Sequence, residues 1–316
     1  MGGEDSKSSS LSDVAASFLI SGVLATTFKT LFAPIERVKL ILQTQTSSRQ
    51  MAQEHKKAYT GFVNAIVRLP KEQGFFSLWR GNLTNICRYF PTQSVNFSLY
   101  DVYYEGLIHF FRPKTKKGQD ILSFLAGGSV GFTSCILLYP LTFCTTRIAV
   151  DVGDGRIIKR EFNNLPHCLR KVYKTDGYKG FYQGVACSSV GMFIYRSAYF
   201  GIYTSAKRIY TNDPFDSNER ILHAPFLVSL LFAQLASSIS MILAYPLDTI
   251  ARQAMLHTGQ GLELYATLRM VGGKIMQRDG PVGFYRGMFT NLLTTISGSL
   301  ILVTHDLAKE FYIKKK

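Results

Sequence analysis

Long uncharged stretches alternate with polar ones along the chain. Four stretches contain no Asp, Glu, Lys or Arg, namely 14–28, 121–146, 224–247 and 287–304. A helix of about 20 residues crosses the hydrocarbon core of a bilayer, so these stretches predict membrane-spanning helices. Two weaker apolar stretches, about 82–110 and 185–209, are interrupted by charged residues. Together the pattern predicts an all-α membrane protein with six transmembrane helices.

Two motifs recur three times along the chain. The first is a proline at the end of an apolar stretch, and its copies are 106 residues apart, at Pro34, Pro140 and Pro246. The second is an aromatic residue, a polar residue and a glycine, and its glycines are 103 residues apart, at Gly81, Gly184 and Gly287. Two motifs in the same order and with nearly equal periods predict three tandem repeats.

Each repeat is predicted to consist of two membrane helices joined by a polar loop that carries a short amphipathic helix. The repeats are assigned to 11–115, 116–215 and 216–316, after a polar tail at 1–10, and the short helices to about 61–72, 163–175 and 264–278. Six spans place both chain ends on one side of the membrane and the basic loops on the other. Proline bends a helix, so the repeated prolines predict bends that close one end of a bundle.

Composition and charge narrow the functional class. The chain has 36 Lys and Arg against 21 Asp and Glu, a net charge of +15, which suits an anionic partner. Nucleic acid is one such partner, but the uncharged runs of membrane length exclude a soluble nucleic-acid-binding protein. The five cysteines and six histidines show neither metal-ligand spacing nor a catalytic constellation. We therefore expect no enzyme, no metal and no cofactor.

Three cations lie at membrane depth. Lys29 follows the first uncharged stretch, and Arg88 and Arg196 interrupt the second and fourth predicted helices. Such charges are costly unless they face water or a partner, so each is a candidate for a functional site. Several cations around one cavity would suit a polyanionic solute. For Lys29 and Arg88, the alternative is a structural ion pair within the bundle.

The repeated motifs resemble those of the mitochondrial carrier family, and within it the ADP/ATP carriers. The runs that carry the resemblance are APIERVK at 33–39, PKEQGF at 70–75, WRGNL at 79–83, RYFPTQ at 88–93 and YRSAYFG at 195–201. The resemblance covers nearly the whole chain. It implies a multi-pass antiporter of the mitochondrial inner membrane that exchanges ADP and ATP by alternating access, with a pseudo-threefold helix bundle, a central cavity and a gate of ion pairs at each end.

The resemblance also implies a substrate site. Lys29, Arg88 and Arg252 stand where ADP/ATP carriers hold phosphates. Gly191, Met192 and Tyr195 stand where these carriers hold the adenine ring. For Met192 and Tyr195, taken without the resemblance, ordinary core packing is the alternative.

In the same way the resemblance implies a matrix gate of three ion pairs, of which this chain keeps one. Asp248 pairs with Lys39, and Gln43 matches a glutamine that braces the gate. Glu36 meets Thr145 where a base is expected, which leaves the carboxylate to water or to Arg37. Neither charge of the remaining pair is present, because its positions hold Thr142 and Ala251.

The cytosolic gate implied by the resemblance is also incomplete. Asp101 pairs with Lys207, Asp306 meets Tyr104 in place of a lysine, and Lys309 meets Thr204. One ion pair and one Asp–Tyr hydrogen bond are therefore expected at this end.

Several arginines typical of ADP/ATP carriers are replaced. Thr294 stands at a phosphate-binding arginine of the sixth helix, and Ala251 and Gln253 stand at two arginines of the third repeat. These losses support an alternative function, in which a carrier-fold protein with impaired transport is retained as a structural or lipid-binding subunit of a larger inner-membrane assembly of the respiratory-chain type.

Glycines at the starts of helices predict lipid sites. Gly81, Gly184 and Gly287 precede the even-numbered membrane helices, whose backbone N–H groups would face lipid phosphates. The resemblance implies cardiolipin as a structural lipid at these places. Gly61 opens the first short helix and completes the first site, so lipid binding is expected to be strongest there.

Overall fold

The computed structural model of the chain describes residues 11–48, 50–51, 57–113, 115–153, 160–211, 226–258 and 264–296. Every regular element within these ranges is helical. The polar tail 1–10 lies outside them, as does the predicted sixth membrane helix from residue 297 onward. The predicted all-α class agrees with this part of the chain, whereas the count of six membrane helices stays a prediction.

The helices follow the order predicted for three repeats. The first repeat contains α1 (Leu11–Thr44), α2 (Phe62–Gln73) and α3 (Asn82–Phe111). The second contains α4 (Lys116–Leu137), α5 (Tyr139–Val150), α6 (Leu165–Gly180) and α7 (Val185–Thr211). The third contains α8 (Phe226–Met255), α9 (Leu264–Asp279) and α10, which begins at 288 and is described to 296. The three short helices α2, α6 and α9 confirm those predicted.

Apolar length and local capping together explain these helices. Within the described residues, one unbroken helix, Leu230–Met255, is long and apolar enough to cross a membrane, and Ile121–Leu137 with Tyr139–Val150 would pass as a bent pair. In α6 the Asn164 side chain accepts a hydrogen bond from the backbone N–H of His167, which satisfies a free donor of the first turn. A proline follows at the start of this helix, where no N–H is needed.

The three repeated prolines differ in their effect on the backbone. Pro34 lies inside α1 and Pro246 inside α8, and both helices continue through them. Next to Pro140 the helix is interrupted, and α4 and α5 meet at an angle of 67°. The break lies at Leu138, whose backbone leaves helical geometry so that Pro140 occupies the first turn of a new helix.

Each repeat has an apolar cluster around its short helix. Leu69 of α2, Val172 of α6 and Ile275 of α9 are buried in the three clusters. Residues of the following repeat complete the first two, because Val152 enters the cluster around α2 and Met255 enters the cluster around α6. Neighbouring repeats therefore share apolar cores at this end of the bundle.

Small residues allow α4 and α7 to approach closely. A methyl group added at Gly127 would lie 2.8 Å from the Phe200 ring, and one added at Gly128 would lie 2.7 Å from the Phe193 ring. These glycines therefore leave the space that the two rings fill. The contact fixes α7, which carries Tyr195 and Arg196, against the rest of the second repeat.

Candidate functional site

A cavity of about 570 Å³ lies between the helices of all three repeats. Its lining comes from α1, α3, α4, α5, α7, α8, the first residues of α10, residues 80–81 before α3 and Leu138 between α4 and α5. The residues predicted to bind substrate all contribute to it, namely Lys29, Arg88, Gly191, Met192, Tyr195 and Arg252. Arg196 lines it as well. Residues from three distant parts of the sequence thus form one basic cavity.

Lys29 and Arg88 occupy the side of the cavity formed by α1 and α3. The ammonium group of Lys29 lies 5.0 Å from the centre of the Tyr89 ring, a cation–π distance. Arg88 donates from Nη2 to Asn85 Oδ1 at 3.0 Å, while its buried Nε has no hydrogen-bond partner in the described structure. A buried guanidinium group with an unused donor is suited to an anionic ligand.

Glu36 is held by Asn85. The Asn85 amide donates to Glu36 Oε2 at 2.7 Å, so one side chain connects Arg88 to Glu36. Arg37 does not provide this contact in the described structure, because its guanidinium group binds other acceptors. It donates instead to the backbone oxygens of Ala149 and Asp151, at 3.0 and 3.1 Å. Asn85 therefore makes the hydrogen bond to Glu36 that was expected from water or Arg37.

Asp248 is the central acceptor at the cavity floor, which we define as Lys39, Thr142, Thr145, Asp248 and Arg252. Lys39 Nζ lies 3.4 Å from Asp248 Oδ2, as the pairing predicts. Arg252 Nε lies 2.9 Å from the same oxygen, and Gln43 Nε2 donates to it at 3.0 Å. The floor thus contains two cations on one carboxylate, and Arg252 is less available to a ligand than the sequence suggests.

The neutral positions of the floor make only local or packing contacts. The hydroxyl groups of Thr142 and Thr145 donate to Leu138 O and Leu141 O, one turn earlier in the chain. Ala251 is buried beneath Gly184. A hydrogen bond of 3.2 Å from Arg252 Nη1 to the Thr146 hydroxyl group connects the third repeat to the second next to the floor.

The predicted adenine side of the cavity lies on α7. Tyr195 stacks on Tyr199 at 6.3 Å between ring centres, and its hydroxyl group lies 3.2 Å from that of Ser237. Met192 is 36% exposed, and Gly191 packs against the Leu247 side chain of α8. An aromatic ring and an exposed thioether side chain near Arg196 offer an apolar surface beside a cation.

The cytosolic gate falls largely outside the described residues. Asp306 and Lys309 lie beyond the last of them, and the side chains of Lys207 and Thr204 are not described. Asp101 is exposed on α3, and Tyr104 stacks on Tyr100 at 6.0 Å between ring centres. The pairings at this end remain predictions.

A polar cluster around Asp151, which the sequence motifs did not reveal, joins the first two repeats. Arg80 Nη2 lies 2.5 Å from Asp151 Oδ2, and Gln50 Nε2 donates to Oδ1 at 2.9 Å. The backbone N–H groups of Gly153, Glu161 and Phe162 donate to the same carboxylate. Burial lowers the pKa of Arg80, and the Asp151 charge opposes this shift. Asp151 has no counterpart in the repeated motifs, so comparing the repeats could not identify it.

The three motif glycines have a packing role. Gly81, Gly184 and Gly287 all have positive φ values, which favour glycine. An added methyl group at Gly81 would lie 3.1 Å from Ala149 Cβ, and one at Gly287 would lie 3.2 Å from Lys39 O. Each glycine therefore lies against the next repeat in a cyclic order. Gly61 differs, because it has an extended backbone with open space beside it.

Comparison with known proteins agrees with this geometry. The family model described as mitochondrial carrier protein matches residues 11–111, 118–214 and 222–316. ADP/ATP translocase 4 of Homo sapiens is 42% identical over 295 residues, which cover 93% of this chain and 90% of the relative. ADP/ATP translocase 2 of Bos taurus is 41% identical over 300 residues, 94% of this chain and 97% of the relative.

A third relative extends the comparison. The mitochondrial substrate carrier family protein ancA of Dictyostelium discoideum is 40% identical over 300 residues, which cover 95% of this chain and 94% of the relative. The three matched segments coincide closely with the three structural repeats. Proteins of this family are transporters rather than enzymes. Three basic repeats around one cavity and the three family matches lead to one assignment: the chain belongs to the mitochondrial carrier family.

Proposed function

We propose that this chain is a multi-pass antiporter of the mitochondrial inner membrane that exchanges adenine nucleotides by alternating access. The observation that carries the proposal is the cavity, in which Lys29, Arg88 and Arg196 surround a space beside Tyr195. Cations suit the phosphates of a nucleotide, and an aromatic ring suits its base. The ADP/ATP translocases among the relatives support the same substrate.

The contacts at the cavity floor suit one closed end of an alternating-access cycle. Lys39, Gln43 and Arg252 all contact Asp248, and together they join the first repeat to the third. A nucleotide that binds above the floor adds negative charge close to Lys39 and Arg252. That charge also repels the Asp248 carboxylate, which weakens the contacts between the two repeats and lowers the cost of opening this end. Exchange requires this kind of differential interaction with the two states.

Counter-exchange in liposomes tests the proposal. Purified full-length protein is reconstituted with ADP inside the vesicles, and uptake of labelled external ADP is measured. We expect uptake that requires internal nucleotide, and much less uptake by a Lys29→Ala/Arg88→Ala variant. Arg170→Ala, which removes an exposed cation from α6, is the matched control and should not change uptake. Uptake that is independent of internal nucleotide, or absent altogether, would contradict exchange.

The alternative of a structural subunit in a larger assembly makes the opposite prediction. It requires no exchange together with stable co-purification of other inner-membrane proteins. The relatives give this alternative no support, because two of those compared are described as translocases. The contact of Lys39 with Asp248 also joins the first repeat to the third at the floor, which supports a gate at this end.

We propose cardiolipin as a structural lipid at the repeat boundaries. Gly81 and Gly287 each precede a helix whose first N–H groups are free of intrahelical partners. At the first boundary, Arg68 near Gly61 already binds Glu72 and the Lys57 carbonyl, so the expected contacts there are the backbone N–H groups. We expect a higher melting temperature with cardiolipin than with phosphatidylcholine, and a smaller increase for Gly61→Pro.

A further inference from the structure

The basic side chains around the cavity divide into two groups. Four of those that the structure describes already bind a carboxylate or a backbone carbonyl oxygen of the protein. Arg37 and Arg80 bind to the segment that begins at Asp151, and Lys39 and Arg252 share Asp248. A ligand that recruited any of these four would first have to break their existing contacts. They therefore contribute less to ligand binding than their number suggests.

Three cations remain without an ion-pair partner among the described residues, namely Lys29, Arg88 and Arg196. Arg88 and Arg196 each keep a buried Nε with no hydrogen-bond partner. Glu36 also lines the cavity and is linked to Arg88 through Asn85, so it subtracts from the positive charge available. The cations available to an anion are therefore few.

The hydroxyl groups that stand where cations are expected do not compensate for them. Thr145 and Thr294 line the cavity, and their hydroxyl groups donate to Leu141 O at 2.8 Å and to Asn291 O at 2.6 Å. A hydroxyl group has one proton, and here the backbone already holds it. In these rotamers neither threonine donates to a phosphate, which offers only acceptors.

We infer that this cavity selects ADP over ATP. The inference rests on the proposed function and specifies its substrate. ATP carries one more phosphoryl group, and therefore more negative charge, than ADP. Moving that charge into the cavity costs hydration that only a cation or a set of donors can replace. The three available cations Lys29, Arg88 and Arg196 leave the extra phosphate of ATP without such a partner.

Binding of the two nucleotides to the solubilised full-length protein tests this inference. Affinities for ADP and ATP are measured by titration calorimetry at equal ionic strength without magnesium. We expect ATP to bind about tenfold more weakly than ADP, the effect of one missing charge-assisted contact. ATP that binds as tightly as ADP would overturn the inference but not the proposed function, whereas no binding of either nucleotide would overturn both.

A charge-restoring variant gives a second measurement. Thr294→Arg adds a cation to the cavity, and we expect it to reduce the preference for ADP at least about tenfold. Thr175→Arg adds the same charge on the exposed face of α6 and is the matched control, for which the ratio of the two affinities should stay unchanged. An equal change in both variants would show that net charge, not the cavity, sets the preference.

Discussion

Arg80 and Asp151 form a buried ion pair between the first and second repeats, with Arg80 Nη2 and Asp151 Oδ2 2.5 Å apart. The Asp151 side chain is fully buried, and side chains and backbone N–H groups supply four further donors to it. Glu36 and Thr145 make no gate ion pair between these repeats. We therefore attribute their polar attachment at this end of the bundle to the cluster around Asp151.

Asp151→Asn should destabilise the protein strongly. The substitution removes the negative charge and puts an NH₂ group next to donors that need an acceptor. Breaking a buried pair in this way costs about 3 to 5 kcal/mol. The measurement is the melting temperature of the protein in detergent. Asp279→Asn breaks the more exposed pair with Arg286 and should cost less than about 1 kcal/mol. Equal shifts for the two variants would contradict the role of the cluster.

Gly184→Ala should destabilise the contact between the second and third repeats. Gly184 has a φ of +88°, and an added methyl group would lie 2.5 Å from the Ala251 carbonyl oxygen. Strain and overlap together should cost at least about 2 kcal/mol, measured as a lower melting temperature. Gly201→Ala is the control within α7, the helix that Gly184 precedes; the space beside Gly201 is open, and the variant should be neutral or stabilising by up to about 1 kcal/mol. A tolerated Gly184→Ala would mean that the repeats separate easily here.

The sequence predicted those parts of the fold that repeat. Pro34, Pro140 and Pro246 and the glycines that follow them mark equivalent positions, so one period located all three short helices. The different outcomes at these prolines could not be predicted, because all three positions hold a proline, yet α1 and α8 continue through it while the backbone at Leu138 leaves helical geometry.

The site was predicted less completely, for a physical reason. Lys29, Arg88 and Arg196 are conspicuous because they lie in or beside apolar stretches that are predicted to cross the membrane, where charge is rare. The bonds from Asn85 to Glu36 and from Arg80 to Asp151 join residues 49 and 71 positions apart, and neither Asn85 nor Asp151 belongs to a repeated motif. Such contacts depend on how the helices pack, and neither periodicity nor charge counting identifies them.

Asp248→Ala should be more harmful than Lys39→Ala. Asp248 accepts from Lys39, Gln43 and Arg252, so its removal leaves two neighbouring cations without a counter-charge. Lys39→Ala leaves Asp248 paired with Arg252. We expect a loss of about 3 to 5 kcal/mol for the first variant and clearly less for the second, measured by thermal unfolding. Adding Lys39→Ala to Asp248→Ala should recover part of the loss, because it removes one of the two repelling charges. No recovery would show that the cations do not interact.

Exchanging the charges of Lys39 and Asp248 should destabilise the protein, because Arg252 also contacts Asp248. Lys39→Asp combined with Asp248→Lys restores a pair between α1 and α8, but it places a lysine one helical turn from Arg252. Like charges at this spacing repel, and Arg252 loses its acceptor. We expect the double variant to be less stable than the unmodified protein, and Arg252→Gln in the same background to recover stability. Full stability of the double variant alone would show that Arg252 does not depend on Asp248.

Arg88→Ala and Lys29→Ala should each weaken ADP binding, because both cations line the cavity and neither has an ion-pair partner in the described part of the chain. Each lost charge-assisted hydrogen bond should reduce the binding free energy by about 1.5 to 3 kcal/mol. Arg88 also holds Asn85, so stability without nucleotide must be measured alongside calorimetric affinity. A ligand-binding role lowers the affinity even where the melting temperature without ADP is unchanged, whereas a purely structural role lowers only the melting temperature. If both variants bind ADP as tightly as the unmodified protein, the nucleotide binds elsewhere and this cavity is not its site.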